Sequence, residues 1–161
     1  MKKSGLIILL VTIILSCNSD DNQEPEVIEK VIFGEIYGQC AGDCRNLYLL
    51  TEQGIYEDSN SDTDFGDFID NSDWENTTFE NQPLSMEKFE LAKQLLQFPN
   101  ILLESNDEIT EQVLADFDYF IEIKTNKTSK TWVFDKIKET ADIEIKQYME
   151  DIVDVNNQLR D

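Results

Sequence analysis

The alternation of apolar and polar residues near the C-terminus is the feature that most constrains the fold. Tyr119, Ile121 and Ile123 would lie on one face of an extended segment that runs to residue 124. A polar turn follows at residues 125–129, and residues 131–135 resume the alternation. Because successive side chains of a strand point to opposite faces, this pattern predicts a β-hairpin, and hence an antiparallel sheet.

Three further segments have the composition of strands, at residues 30–37, at residues 47–50 and from Ile55 onward. The first has apolar side chains on both of its faces, which predicts a central place in the sheet. Residues 52–54 predict the turn that joins the second strand to the third.

Two segments repeat their apolar residues with the period of a helix. In residues 85–97, Ser85 is a suitable N-cap and Pro99 prevents much further continuation. The second helix is predicted from about Asp142 to Leu159. It has one apolar stripe: Ala141, Ile145, Tyr148, Ile152, Val155 and Leu159.

The order of these elements predicts an α+β fold, in which an antiparallel sheet of about five strands carries two helices on one face. Residues 30–161 form this single domain, because a chain of that length supplies one core and not two.

The N-terminus has the pattern of an export signal. Lys2 and Lys3 precede a ten-residue apolar run at residues 6–15, which is half the length of a membrane span. Ser16 and Cys17 complete a bacterial lipobox, so residues 1–16 are predicted to be removed and Cys17 to be lipidated, for example with palmitate. A signal peptide with a chance cysteine is the alternative. Residues 17–29 are polar and acidic, which predicts a flexible tether to the membrane.

The chain is strongly acidic, with 34 Asp and Glu against 13 Lys and Arg and a formal net charge of −21. Such a surface repels phosphate backbones, so nucleic acid is excluded as a partner. It favours basic proteins or divalent ions, although a high net charge also serves solubility alone.

Cys40 and Cys44 are the remaining cysteines. An exported protein meets an oxidising compartment, so a structural disulfide between the two is predicted. The chain has no His, and neither a zinc site nor a Cys-x-x-Cys redox motif fits.

Residues 58–83 form a long acidic loop that also contains large aromatic residues. Between Arg45 and Lys88 there is no Lys or Arg, whereas eleven acids occur. Acidic side chains at alternate positions can converge on a hard cation, so a loose calcium site is one hypothesis, with ligands Asp58, Asn60, Asp62 and Asp64. An EF-hand is excluded, because Thr63 and Ile69 stand where that motif requires Gly and Glu. No other cofactor is expected.

The same loop suggests a protein-binding surface. Aromatic side chains within a charged frame are a frequent interface composition, and the candidate contact residues are Phe65, Phe68 and Trp74. The alternative is that these rings pack on the core while the acids face water.

Residues 33–44, which end in Gly-Gln-Cys-Ala-Gly-Asp-Cys and lead into the strand at residues 47–50, resemble a segment of small uncharacterised lipoproteins from Bacteroidota-type bacteria. Ile121-Glu122-Ile123, Trp132 and the last helix follow the same outline. Many of those proteins have a second cysteine pair before the Ile-x-Ile strand, and residues 114–118 contain none. The resemblance implies an outer-membrane location, in the periplasmic or the surface leaflet, and implies no activity.

The sequence therefore predicts a lipid-anchored envelope protein that is a binding module and not an enzyme. Without His, nucleophile–His and His–metal chemistry are excluded, and no motif selects one catalytic pair among the 34 acids. The alternatives are cation binding through the acidic loop and inhibition or neutralisation of a basic secreted enzyme.

Overall fold

The computed structural model describes residues 26–37, 45–59, 77–105, 109–111 and 117–160. Within these ranges the strands are β1 (Ile28–Tyr37), β2 (Arg45–Thr51), β3 (Gly54–Glu57), β4 (Thr110–Glu111), β5 (Phe117–Thr125), β6 (Ser129–Phe134) and β7 (Lys136–Ile137). The helices are α1 (Met86–Ala92), α2 (Asn100–Glu104) and α3 (Ile143–Arg160), and a 3-10 turn at Lys93–Leu96 extends α1.

Five strands form one antiparallel sheet in the order β3-β2-β1-β5-β6. The predicted α+β class is confirmed, and β1 has the predicted central place. The predicted hairpin at residues 119–135 is also confirmed, as β5 and β6, with Ile121 opposite Trp132. The short strands β4 and β7 pair in a separate two-stranded sheet.

Strand β1 begins at Ile28, two residues before the predicted start at Lys30. A register irregularity between Ile28 and Lys30 lets Ile28 pair with Thr125 at the end of β5. The pairing partner decides this boundary, which the local sequence does not reveal.

Gly34 allows β1 and β2 to approach closely in the middle of the sheet. Its φ is +153°, and a Cβ built there would lie 2.0 Å from the carbonyl oxygen of Asn46. A side chain at this position is therefore excluded by both the backbone conformation and the space.

The first predicted helix is confirmed, although it is less regular than expected. Ser85 is its N-cap and accepts a hydrogen bond from the Lys88 amide at 3.3 Å. Its last turn, at Lys93–Leu96, tightens into a 3-10 turn. A third helix, α2, begins directly after Pro99 and was not predicted. Pro99 ends one helix and takes the extended conformation that suits the start of another.

The helices pack on one face of the sheet, as predicted. Their buried residues share a cluster with Val31, Phe33, Leu50, Ile121 and Ile123 of the strands. The predicted stripe of α3 is confirmed for Ile145, Tyr148, Ile152, Val155 and Leu159, which are all buried. Ala141 precedes the helix and is half-buried. The opposite face has its own smaller apolar cluster, formed by Ile32, Ile36, Leu47 and Phe120.

Candidate functional site

Most of the residues that the sequence singles out lie outside the residues that the structure describes. These are Cys17, Cys40 and Cys44, the cation candidates Asn60, Asp62 and Asp64, and the aromatic candidates Phe65, Phe68 and Trp74. Asp58 is described, and so are both ends of the acidic loop, on either side of residues 60–76. We call residues 60–76 the excursion.

The two ends of the excursion lie side by side. Asp58 and Phe79 form an isolated antiparallel bridge. The Ser59 amide donates to the Thr78 carbonyl oxygen at 2.9 Å, and the Ser59 hydroxyl lies 3.0 Å from the same oxygen. The described residues on either side of this seventeen-residue segment are therefore adjacent, and we call the place where they meet the excursion base.

The excursion base lies near the end of the sheet where β1 finishes. The Asp58 amide donates to the Leu47 carbonyl oxygen at 2.9 Å, which places Asp58 beyond the last paired residue of β3. Arg45, which is opposite Ile36 in β1, donates from Nη1 to Thr77 Oγ1 at 3.1 Å. We call this the loop end of the sheet.

The segment that precedes β1 enters at the other end of the sheet. The Val27 amide donates to Asn126 Oδ1 at 3.0 Å, and the Asn126 amide donates to the Val27 carbonyl oxygen at 3.0 Å. Thr125 Oγ1 donates to Glu26 Oε1 at 2.6 Å. We call this the tether end. The excursion base is level with Gly34 and Glu35 of β1, so about 25 Å of strand separates it from Val27 at the tether end.

A buried carboxylate connects β1 to the last turn of α3. Glu35 is 1% exposed, and both of its oxygens lie 2.7 Å from Arg160 Nη1. Asn156 Nδ2 donates to Glu35 at 3.0 Å, and the Tyr37 hydroxyl donates at 2.7 Å. Three donor groups thus compensate the desolvation of one buried charge, as a buried carboxylate requires.

Two further tyrosines near this ion pair, Tyr48 and Tyr119, have raised pKa values. Burial, with a contribution from Glu57, raises the pKa of Tyr48. Burial and the charge of Glu35 raise the pKa of Tyr119. The charge of Glu35 raises the pKa of the Arg160 guanidinium, so Arg160 stays positively charged. These contacts join the C-terminal part of α3 to β1.

This cluster is not evident from the sequence, although a signal for it is present there. Glu35 occupies a position that alternates with the buried residues Val31 and Phe33, and a charge there needs a partner. Asn156 stands four residues after Ile152 on the buried stripe of α3. Nothing in the local pattern indicates that these residues meet, because 121 residues separate Glu35 from Asn156.

Two surface cavities are lined by described residues. A cavity of about 300 Å³ lies at the tether end, lined by Glu26, Val27, Ile28, Glu52, Leu96, Gln97, Phe98 and Asn100. A second, of about 430 Å³, lies between α1 and α3, lined by Ser85, Glu87, Lys88, Leu91 and Gln158. Across the described ranges, no three acidic or cysteine side chains converge in a way that would hold a metal ion.

No protein-family model, curated protein or solved structure matches this chain. None of the helices in the described part of the chain is both long enough and apolar enough to cross a bilayer.

Proposed function

We propose that this protein is a lipid-anchored component of the bacterial cell envelope that binds a basic protein partner through its acidic excursion and has no catalytic activity. The lipobox at Cys17 and the preceding apolar run support the anchor, and the outer membrane is the proposed location. Inhibition or neutralisation of a basic secreted enzyme would be one form of this binding.

One observation carries the proposal: the excursion base and the chain leading to Cys17 lie at opposite ends of the sheet. The Ser59–Thr78 contacts are at the loop end, and Val27 is held to Asn126 at the tether end. The excursion therefore starts about 25 Å from the point where the anchor segment joins the domain. A surface at that distance from the anchor is accessible to a partner in the surrounding medium.

The charge distribution supports a basic partner. The chain from residue 46 to residue 87 has eleven acids and no Lys or Arg. Such a segment attracts basic surfaces over several ångströms and speeds their encounter, and added salt weakens that attraction. Partner binding is therefore expected to fall as ionic strength rises.

The buried acids of the described ranges support a structural role for these carboxylates. Glu35 is engaged by Arg160, Asn156 and Tyr37. Glu122 is 8% exposed and accepts from Ser129 Oγ at 3.1 Å. A general acid or base must be able to exchange its proton with a substrate, and these carboxylates are occupied by internal donors.

The proposal is tested by replacing the excursion with a short Gly-Ser linker in the full-length protein. Because the Ser59 amide and the Thr78 carbonyl oxygen are 2.9 Å apart, the linker closes the chain without disturbing β3. Cells expressing either form are treated with a cleavable cross-linker, and the bound proteins are identified. We expect a basic protein to be captured by the wild type and lost with the linker variant.

Two matched variants separate charge from aromatic contact. In one, Asp62, Asp64, Asp67 and Asp70 become Asn, and in the other Phe65, Phe68 and Trp74 become Ser. Loss of capture in the first variant identifies electrostatic recognition, and loss in the second identifies the aromatic candidates as contacts. If the linker variant captures the same proteins as the wild type, the excursion is not the binding surface and the proposal is wrong.

A further inference from the structure

We infer that the tether end of the sheet is a membrane-facing surface, which rests against the lipid headgroups when the protein is anchored. This inference rests on the proposed lipid anchor and adds to it a defined orientation of the domain. The surface is formed by Val27, the turn after Thr51, the turn after Thr125 and the start of α2 at Asn100 and Ile101.

The length of the tether limits the orientations that the domain can adopt relative to the bilayer. Nine residues, 17–25, separate the predicted lipid from Glu26, and even a fully extended chain of that length spans only about 30 Å. The loop end lies about 25 Å further along β1. An inverted domain would need most of the segment to be stretched, so the tether length favours an orientation in which the loop end points away from the bilayer.

The tether end exposes apolar side chains where a lipid surface would meet it. Four large apolar residues are exposed in the described ranges. Val27, which is 49% exposed, and Ile101, which is 42% exposed, belong to the tether end, whereas Met86 and Ile143, which are 70% and 74% exposed, lie outside the surface defined above. Val27 and Asn100, the neighbour of Ile101, line the same 300 Å³ cavity with Phe98. Partly exposed apolar residues around a concave surface suit insertion into the interfacial region of a bilayer.

The charges of the tether end are balanced, in contrast with the rest of the chain. Lys124 pairs with Glu29 at 3.3 Å, and Lys30 lies 3.8 Å from Glu122. The other charged residues near the two turns are Glu26, Glu52, Lys127 and Lys130. An anionic lipid surface repels the acidic tether and the acidic excursion, but it does not repel the balanced turns of the tether end, so the electrostatics of the folded domain and the tether length favour the same orientation.

The test uses full-length lipidated protein in vesicles of phosphatidylethanolamine and phosphatidylglycerol that contain a lipid-attached fluorescence quencher. An environment-sensitive fluorescent amino acid replaces Ile101 at the tether end. The matched control places it at Lys136, an exposed residue two positions beyond the loop end of β6. Val27→Asp is a second variant, combined with the probe at position 101.

We expect the probe at position 101 to lose fluorescence and the probe at position 136 to keep it. Val27→Asp is expected to restore fluorescence at position 101 without releasing the protein from the vesicles. Equal quenching at both positions would show that the domain turns freely, and the orientation would be refuted while the anchor stands. The anchor is tested separately by flotation: if the wild type floats no better than Cys17→Ser, the anchor fails and the orientation fails with it.

Discussion

Removal of Arg160 tests whether the buried ion pair holds α3 to the sheet. In Arg160→Met, the Glu35 carboxylate, 1% exposed, loses the guanidinium that lies 2.7 Å from both of its oxygens. Loss of one partner of a fully buried pair costs about 3–5 kcal/mol. The Arg160 side chain is 43% exposed, so water replaces it in part, and we expect a loss of about 2–3 kcal/mol in the free energy of unfolding.

Substitution of the other partner, Glu35, should cost less free energy of unfolding, because it leaves no buried charge behind. In Glu35→Gln the remaining guanidinium is half-exposed and can be hydrated, so we expect a loss of about 1–2 kcal/mol. The double variant should be more stable than the sum of the two single losses predicts, by about 1 kcal/mol or more.

These free energies are measured by urea unfolding followed by circular dichroism. Lys93→Met is the control, because Lys93 pairs with Glu90 at 3.4 Å while both side chains are more than half exposed. Its expected effect is within about 0.5 kcal/mol. If Arg160→Met is as mild as this control, or if the double variant is simply additive, the ion pair does not hold the helix and the reasoning is refuted.

Three further predictions concern alkaline stability, backbone geometry and cation binding. Burial raises the pKa of Tyr148, so its contribution to stability is present below about pH 10 and is lost as the pH rises above that value. In urea titrations from about pH 9 to about pH 11, Tyr148→Phe should lose less stability than the wild type, and equal losses would contradict this. Gly34→Ala should destabilise by about 3 kcal/mol or prevent folding, because its Cβ would lie 2.0 Å from a backbone oxygen of β2. Gly54→Ala, whose nearest contact is a side-chain carbon at 3.1 Å, should cost less than about 1 kcal/mol, and similar melting temperatures for the two variants would disprove the argument. The melting temperature should be the same in calcium and in chelator; a rise that is abolished by Asp62→Asn with Asp64→Asn would instead establish the cation site.

The order and type of the main elements could be predicted because they depend on local periodicity. The hairpin at residues 119–135 and the helix at 142–159 agree with β5, β6 and α3 within a few residues. The first helix was predicted because Ser85 and Pro99 are local signals of a start and a stop. Short elements such as α2, β4 and β7 have too few residues to show a period, and they form because neighbouring segments pack against them.

The candidate functional residues also include some that the local sequence reveals and others that it does not. Cys17 and the acidic loop are visible in the sequence because each is a contiguous run with a distinctive composition. The contacts of Glu35 with Asn156 and Arg160 are not, because they join positions 121 and 125 residues apart. Such contacts depend on the register of β1 and the placement of α3.

The sequence by itself determined the α+β composition and the acidic charge of this protein, and it predicts export and anchoring, since each follows from neighbouring residues. Only the tertiary structure decided that β1 lies between β2 and β5, that Glu35 meets Arg160, and that the excursion base and Val27 lie at opposite ends of the sheet. The physical reason is that strand order, register and burial result from packing between distant segments, for which local periodicity gives no signal.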